Sequence, residues 1–192
     1  MNDGWLSVDL LTSGECDLLV DALRGAGGGH APVYGAGAQP AVQPSRRTTR
    51  LFPTPDARSS VFDTFEGVRE RLCEHFRVPL ANFEEPQFLL YKEGDYFVAH
   101  QDGNTPAIFD DSRHRRVSLI LFLSDPASYS GADLRFHTSF TERVTIPATR
   151  GTAVAFRSEL THEVTPLVAG ERYTVVTWYR IADGQASSDS QQ

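Results

Sequence analysis

Sulfur is scarce in this chain: its 192 residues include two cysteines, Cys16 and Cys73. Each sits in a helix-like pattern. Two thiols are too few for a disulfide framework, so both are expected to be buried free thiols in a reducing cytosol. Long apolar runs are missing as well, and nothing approaches the roughly 20 consecutive apolar residues of a membrane span. The start, MNDGWLSVDLL, has neither a basic leader nor an apolar stretch closed by small residues. These absences predict a cytoplasmic protein with no membrane partner. Positive charge is in deficit, with 18 Lys and Arg against 25 Asp and Glu and a formal net charge of −7. That balance argues against a nucleic-acid-binding surface as the main function.

What remains is enough for one domain over residues 1–182, followed by a polar tail at 183–192, DGQASSDSQQ, expected to be disordered. Residues 12–25 read as a first helix. Thr12 and Glu15 stand at capping-box spacing ahead of an apolar stripe of Leu18, Leu19, Ala22 and Leu23. Residues 26–44 are rich in Gly, Ala and Pro without a period and read as a loop. SRRTTRLF at 45–52 can extend as a strand. Residues 57–77 form a longer helix with Val61, Phe62, Phe65, Val68, Leu72, Cys73 and Phe76 as its inner stripe. From Phe88 the pattern changes to about eight short runs rich in Val, Ile, Phe, Tyr and Thr, separated by turn residues. The expected class is α+β and mainly β: a double-stranded β-helix, or jelly roll, with the N-terminal helices packed on one sheet.

The chemistry gathers around YKEGDYFVAHQD at 91–102. His100 and Asp102 are separated by one residue, so on an extended chain both side chains leave the same face. His162, in LTHEVTP, follows another apolar strand, and a jelly roll can bring it to the same end of the barrel. Two imidazoles and one carboxylate on one face of a metal leave open positions, the pattern of non-haem Fe(II) oxygenases. Arg172 lies in the apolar run RYTVVTWY. An arginine there must pair with a local acid, snorkel to the rim or clamp a ligand carboxylate. Two basic clusters, Arg46–Arg47–Arg50 and Arg113–His114–Arg115–Arg116, flank the proposed site. Such clusters are commonly solvated surface, but Arg46, Arg50 and Arg116 are candidates to face an acidic substrate. Two other readings stay open: a non-catalytic jelly-roll binding module, and a cupin-type metalloenzyme that does not use 2-oxoglutarate.

One ordered set of motifs is more specific than any of its members: Tyr91-x-x-Gly94, His100-x-Asp102, Arg116-x-Ser118 followed by LILFLS, Gly131-Ala-Asp-Leu, Pro147 with Gly151, His162-Glu-Val-x-Pro166, and Gly170-x-Arg172-Tyr173 ending in Trp178. Over residues 86–180 the set resembles the prolyl 4-hydroxylase branch of the Fe(II)/2-oxoglutarate-dependent dioxygenases. The resemblance implies that His100, Asp102 and His162 hold Fe(II) and that Arg172 binds the distal carboxylate of 2-oxoglutarate. It also implies that Tyr91 hydrogen-bonds that cosubstrate and that Trp178 walls the pocket. Implied with these are O2 as oxidant, ascorbate as a supporting reductant, and hydroxylation of an unactivated C–H bond with release of succinate and CO2. The substrate would be a prolyl residue or an amino-acid-like small molecule; oligomeric state stays open. Two departures are visible. Ala132 replaces the second glycine of a Gly-Gly-x-Leu pattern, an exchange expected to matter little. Phe97, not Tyr96, stands three residues before His100, so Tyr96 is given no catalytic role.

Overall fold

A computed structural model of the chain describes residues 4–30 and 45–181. Most of the expected 26–44 loop and the expected polar tail lie outside the described residues. Strand β1 (Trp5–Asp9) leads into helix α1 (Ser13–Arg24), followed by strands β2 (Gly28–His30), β3 (Arg46–Arg47) and β4 (Thr49–Leu51). Helix α2 (Pro55–Phe76) precedes β5 (Leu80–Phe83), β6 (Gln87–Tyr91), β7 (Tyr96–His100) and β8 (Arg115–Phe122). Then come β9 (Tyr129–Gly131), β10 (Leu134–His137), β11 (Arg143–Ile146), β12 (Thr152–Arg157), β13 (His162–Val164), β14 (Leu167–Gly170) and β15 (Arg172–Ile181). Among the described residues, no helix is long and apolar enough to cross a membrane.

Both helices start where their caps dictate. The Thr12 N–H donates to Glu15 Oε2 at 2.7 Å, and the Glu15 N–H returns to Thr12 Oγ1 at 3.3 Å, which closes the capping box. Helix α2 begins two residues ahead of the expected 57. Pro55 occupies its first turn, where a missing N–H costs nothing, and Thr54 Oγ1 accepts from the Ala57 N–H at 3.4 Å. It ends at Arg77, in the left-handed region at φ 54°. Of its expected inner stripe, Val61, Phe65, Val68, Leu72 and Phe76 are buried, while Phe62 is 43% exposed and leans on Phe83.

An eight-stranded sheet runs β1-β12-β8-β15-β6-β4-β2, with β5 also on β15, and a five-stranded sheet runs β11-β10-β13-β7-β3. Alternation along the central strands sends side chains to two cores. Val117, Leu119, Leu121, Ala153, Ala155, Val175 and Tyr179 meet the helices, as expected of helices packed on one sheet. Ile120, Phe122, Val154 and Phe156 face inward to Leu134, Phe136 and Ile146 of the smaller sheet. From β6 onward the described residues form ten strands against about eight expected runs, and the strand expected at 45–52 divides in two where it changes partner. Arg46 and Arg47 pair with β7 in the small sheet, and Thr49–Leu51 pair with β6 in the large one. Thr48 sits at this crossing, and its hydroxyl donates to the Leu90 carbonyl at 2.9 Å. HEVTPLV splits at Pro166, which has no N–H for a ladder. The WLSVD strand, which has few residues of its own to signal it, is fixed by pairing with β12.

The Gly131-Ala132 pair is tight. A Cβ at Gly131 would lie 2.4 Å from the Pro166 carbonyl oxygen. Ala132 is itself buried at φ 51°. Glycine adopts that left-handed conformation freely, whereas alanine holds it at a cost of about 1–2 kcal/mol.

Candidate metal centre

His100 ends β7 and His162 begins β13, and the two residues are direct register partners on adjacent antiparallel strands. This pairing brings together groups sixty-two positions apart in sequence. The rings lie 4.2 Å apart, centroid to centroid. Asp102 joins them just after β7, held because the N–H groups of Asp102 and Gly103 both donate to the Ser158 carbonyl, at 2.9 and 3.1 Å. Asp102 Oδ1 is then 3.4 Å from His100 Nε2, and Oδ2 is 3.5 Å from His162 Nε2. All three possible ligand atoms lie within 4.8 Å of one another.

The proton positions follow from the partners. His100 Nδ1 is 2.8 Å from the Val98 carbonyl and His162 Nδ1 is 3.0 Å from the Leu160 carbonyl. A carbonyl only accepts, so each Nδ1 carries the hydrogen and each Nε2 presents a lone pair to the centre. Burial pushes the His162 pKa down to about 4, which keeps the ring neutral near pH 7, the form that ligates metals. Burial alone would raise the Asp102 carboxyl. Positive charge on His162 or His100, when either ring is protonated, and the Trp178 indole outweigh it and hold Asp102 well below the usual carboxylate range. The Ser118 hydroxyl donates to Asp102 Oδ2 at 2.7 Å and lies 3.0 Å from Ser158 Oγ. Two lone pairs and an anion converge with no proton between them, and His100 Nε2 is buried without a hydrogen-bond partner. A cation at their common focus resolves that repulsion, and two imidazoles with one carboxylate suit Fe(II).

The cavity at this cluster is also lined by Tyr91, Trp178, Ile120, Val176 and Arg46. Trp178 is pinned from behind by the Arg115 guanidinium, whose carbon lies 3.9 Å from the ring centroid. Arg115 makes two bonds to Glu84, at 2.7 and 2.6 Å, and a third to the Asp102 carbonyl at 3.2 Å. Arg172 opposes Tyr91 in register and is 2% exposed. Its guanidinium carbon is 5.2 Å from the Tyr91 ring and 5.2 Å from the Phe122 ring. Its Nε has no partner, and among the described residues no carboxylate pairs with it. Of the three arginines expected to face a substrate, Arg46 alone lines the cavity. Arg50 lines a separate shallow groove with Phe52, Arg58 and Pro86. Arg116 spends its guanidinium on the carbonyls of Arg113 and Arg115, at 2.8 and 3.1 Å. Arg115, Glu84 and Ser158 escaped the sequence reading. Their only signal was a polar residue at the end of an apolar run, which is common at strand ends.

Residues 86–180 match the family model of the 2OG-Fe(II) oxygenase superfamily. Through this segment the chain belongs to that superfamily. The match starts at β6 and ends in β15, so it contains the three clustered ligands, Tyr91, Arg172 and Trp178. A PKHD-type hydroxylase of Hyphomonas neptunium is 36% identical over 115 residues, 59% of this chain and 50% of that protein. A second, from Paracoccus denitrificans, is 34% identical over 101 residues, 51% of this chain and 44% of that one. The chain thus spans about half the length of the curated relatives it matches. In fold it is similar to a Pseudomonas putida prolyl-4-hydroxylase, with TM-score 0.69 and 22% identity over 93% of each chain. It is likewise similar to a Trichoplax adhaerens prolyl hydroxylase solved with a hypoxia inducible factor peptide fragment, with TM-score 0.68 and 14% identity over 94% of this chain and 84% of that one. Both neighbours bear out the mainly β, jelly-roll architecture with N-terminal helices. Oxygenases of the superfamily use Fe(II), 2-oxoglutarate and O2. The donor set fits the metal, and the buried, unpaired guanidinium of Arg172 fits a dicarboxylate.

Proposed function

We propose that this protein is an Fe(II)- and 2-oxoglutarate-dependent hydroxylase acting on an unactivated C–H bond of a prolyl residue or an amino-acid-like small molecule, with release of succinate and CO2. The observation that carries the reading is the pairing of His100 with His162 across two strands, with Asp102 closing the triangle and an unpaired buried Arg172 behind Tyr91. When bound, the iron and 2-oxoglutarate supply the oxidising chemistry that lets O2 attack a C–H bond.

The chain's own part is orientation and exclusion. The Val98 and Leu160 carbonyls fix the ring tautomers, so both Nε2 atoms are aimed before metal arrives. Ser118 and the Asp102 and Gly103 backbone hold the carboxylate. Arg172 offers a planar fork to the distal carboxylate of 2-oxoglutarate, and Tyr91 offers its hydroxyl to the same molecule. Ile120, Val176 and Trp178 keep the cavity wall apolar, which strengthens every charged contact within it. With Asp102 present, a carboxylate would complete the metal's ligand set, the set expected of a hydroxylase.

The decisive experiment is anaerobic addition of Fe(II) and then 2-oxoglutarate, watched for the weak visible charge-transfer band of the chelate. The band is expected, and its absence from folded, metal-loaded protein would overturn the reading. Arg172→Ala is expected to raise the 2-oxoglutarate concentration needed for the band by at least about tenfold.

A further inference from the structure

Two arginines near the site are buried without a partner for Nε, and their neighbours are not. Arg47 turns to solvent and meets Asp95 at 3.1 Å. Arg115 is held by both oxygens of Glu84. Arg172 and Arg46 are the two: both are buried, at 2% and 9% exposure, and in both Nε has no hydrogen-bond partner. Among the described residues no carboxylate forms an ion pair with Arg46. Desolvating a guanidinium without a counter-charge is costly, and a fold keeps such a group where a ligand supplies the missing anion.

Arg46 sits in the cavity of the metal ligands. Its guanidinium carbon lies 5.0 Å from the centroid of Phe97, and Phe97 stacks on the His100 ring at 3.5 Å and 19°. Phe97 thus contacts both the cation and a ligand of the candidate metal. Asp102 is near enough to bear on the charge of Arg46, but that carboxylate belongs to the metal cluster. On the proposed reading, 2-oxoglutarate has two anionic ends, and the metal and Arg172 account for both. Arg46 is left over on the metal-ligand cavity, with no carboxylate among the described residues in an ion pair with it and neither end of the cosubstrate assigned to it.

We infer that Arg46 binds a carboxylate of the primary substrate, so the substrate is a free carboxylic acid, either a small amino-acid-like molecule or the C-terminal residue of a peptide, and not an internal prolyl residue. This rests on the hydroxylase reading and narrows it. The planar fork of arginine suits a carboxylate in two parallel hydrogen bonds, whereas a neutral carboxamide offers one acceptor and no charge.

The test uses the full chain loaded anaerobically with Fe(II) and 2-oxoglutarate. The probes are the twenty common L-amino acids, their carboxamides, a dipeptide and a tripeptide ending in free proline, and N-acetyl-Gly-Pro-Gly-amide. Binding is read as the shift each probe causes in the visible band, so no turnover is needed. At least one free acid is expected to shift the band, with its carboxamide weaker by at least about tenfold. Arg46→Gln and Arg46→Lys should lose most of that ratio, and Arg47→Gln, one residue along and facing solvent, should keep it. Response to single amino acids alone assigns a small-molecule substrate; response to the free-proline peptides assigns a C-terminus. The inference is overturned if no free acid shifts the band, if the blocked tripeptide binds as tightly as the best acid, or if Arg46→Gln keeps the acid-over-amide ratio. Failure of the band to form at all sinks the hydroxylase reading, and this inference with it.

Discussion

The two faces of β15 differ more in polar bookkeeping than in shape. On the outer face, Tyr173, Val175 and Tyr179 pack against the helices, and the deeply buried Tyr179 hydroxyl donates to the Phe65 carbonyl at 2.7 Å. On the inner side, Arg172, His100, Arg46 and Gln87 each bury a polar atom without a partner. A fifth such atom, His137 Nε2, lies on the small sheet 3.7 Å from Glu163. Native proteins leave few buried polar groups unsatisfied, so a cluster of them between the two sheets, Arg172 and Gln87 from the large one and His100 and Arg46 from the small one, marks where the fold gives up stability for binding. The outer face holds the molecule together, and the inner face waits for ligands.

The sharpest way to break this comparison is to damage each face separately. His162→Ala removes a candidate ligand. Loss of mere supporting contacts costs about 10–100-fold in metal affinity, so loss of the ligand should exceed about 100-fold. The midpoint of urea unfolding of metal-free protein should move less than for a core deletion, although His162 is buried against Phe156. Phe65→Ala, on the outer side, should cost about 3–5 kcal/mol of stability and leave metal affinity per folded molecule unchanged. Titration of Fe(II) alongside urea unfolding reads both quantities, and a variant that moves both together would dissolve the distinction.

A smaller effect comes from proton linkage on the inner face. His162 is held at about 4 by burial, against an ordinary value of 6.5. Below 6.5 the unfolded chain takes up a proton at this ring that the folded, metal-free protein refuses until about pH 4. Stability from this group is therefore complete above 6.5 and drains away as pH falls toward 4, by roughly 3 kcal/mol in all. Asp102, with its lowered pKa, contributes in the same direction only below its ordinary value of 3.8. Urea midpoints of chelator-treated protein at pH 7, 6 and 5 should decline for the wild type and decline less for His162→Gln.

The sequence was most legible where chemistry and topology reinforce each other. His100-x-Asp102 and His162 carry recognisable spacing, and the order of short β runs implied a barrel that could join them. Legibility failed where a side chain's direction depends on which sheet the strand has joined. Arg46 and Arg47 are neighbours of one type, yet one enters the cavity and the other meets solvent. Alternation sends the two to opposite faces, and which one meets the cavity is set by the pairing of Arg46 with Phe97 and Arg47 with Tyr96, before the chain crosses to β6 at Thr48. No local pattern encodes such a crossing. Residues that act through a second group were equally hidden: Arg115 matters through Trp178, Glu84 and the Asp102 carbonyl, none of them its neighbour in sequence.

The smallest effects probe how each face holds its buried hydroxyl. Ser118 projects inward from β8 between Val117 and Leu119, which project to the helices. Its hydroxyl is the direct donor to Asp102 Oδ2, the oxygen 3.5 Å from His162 Nε2. Ser118→Ala leaves one carboxylate oxygen without its donor and free to turn, so Fe(II) affinity should fall about tenfold. Tyr179→Phe removes the outer counterpart and leaves the Phe65 carbonyl with its helical partner alone, at a cost of about 0.5–1.5 kcal/mol in stability. Metal affinity should be untouched, because Tyr179 faces the helices and not the cavity. If Ser118→Ala costs stability without weakening metal, Asp102 is positioned by the backbone donations of residues 102 and 103 to Ser158 alone, and the inner hydroxyl is an ordinary core contact like the outer one.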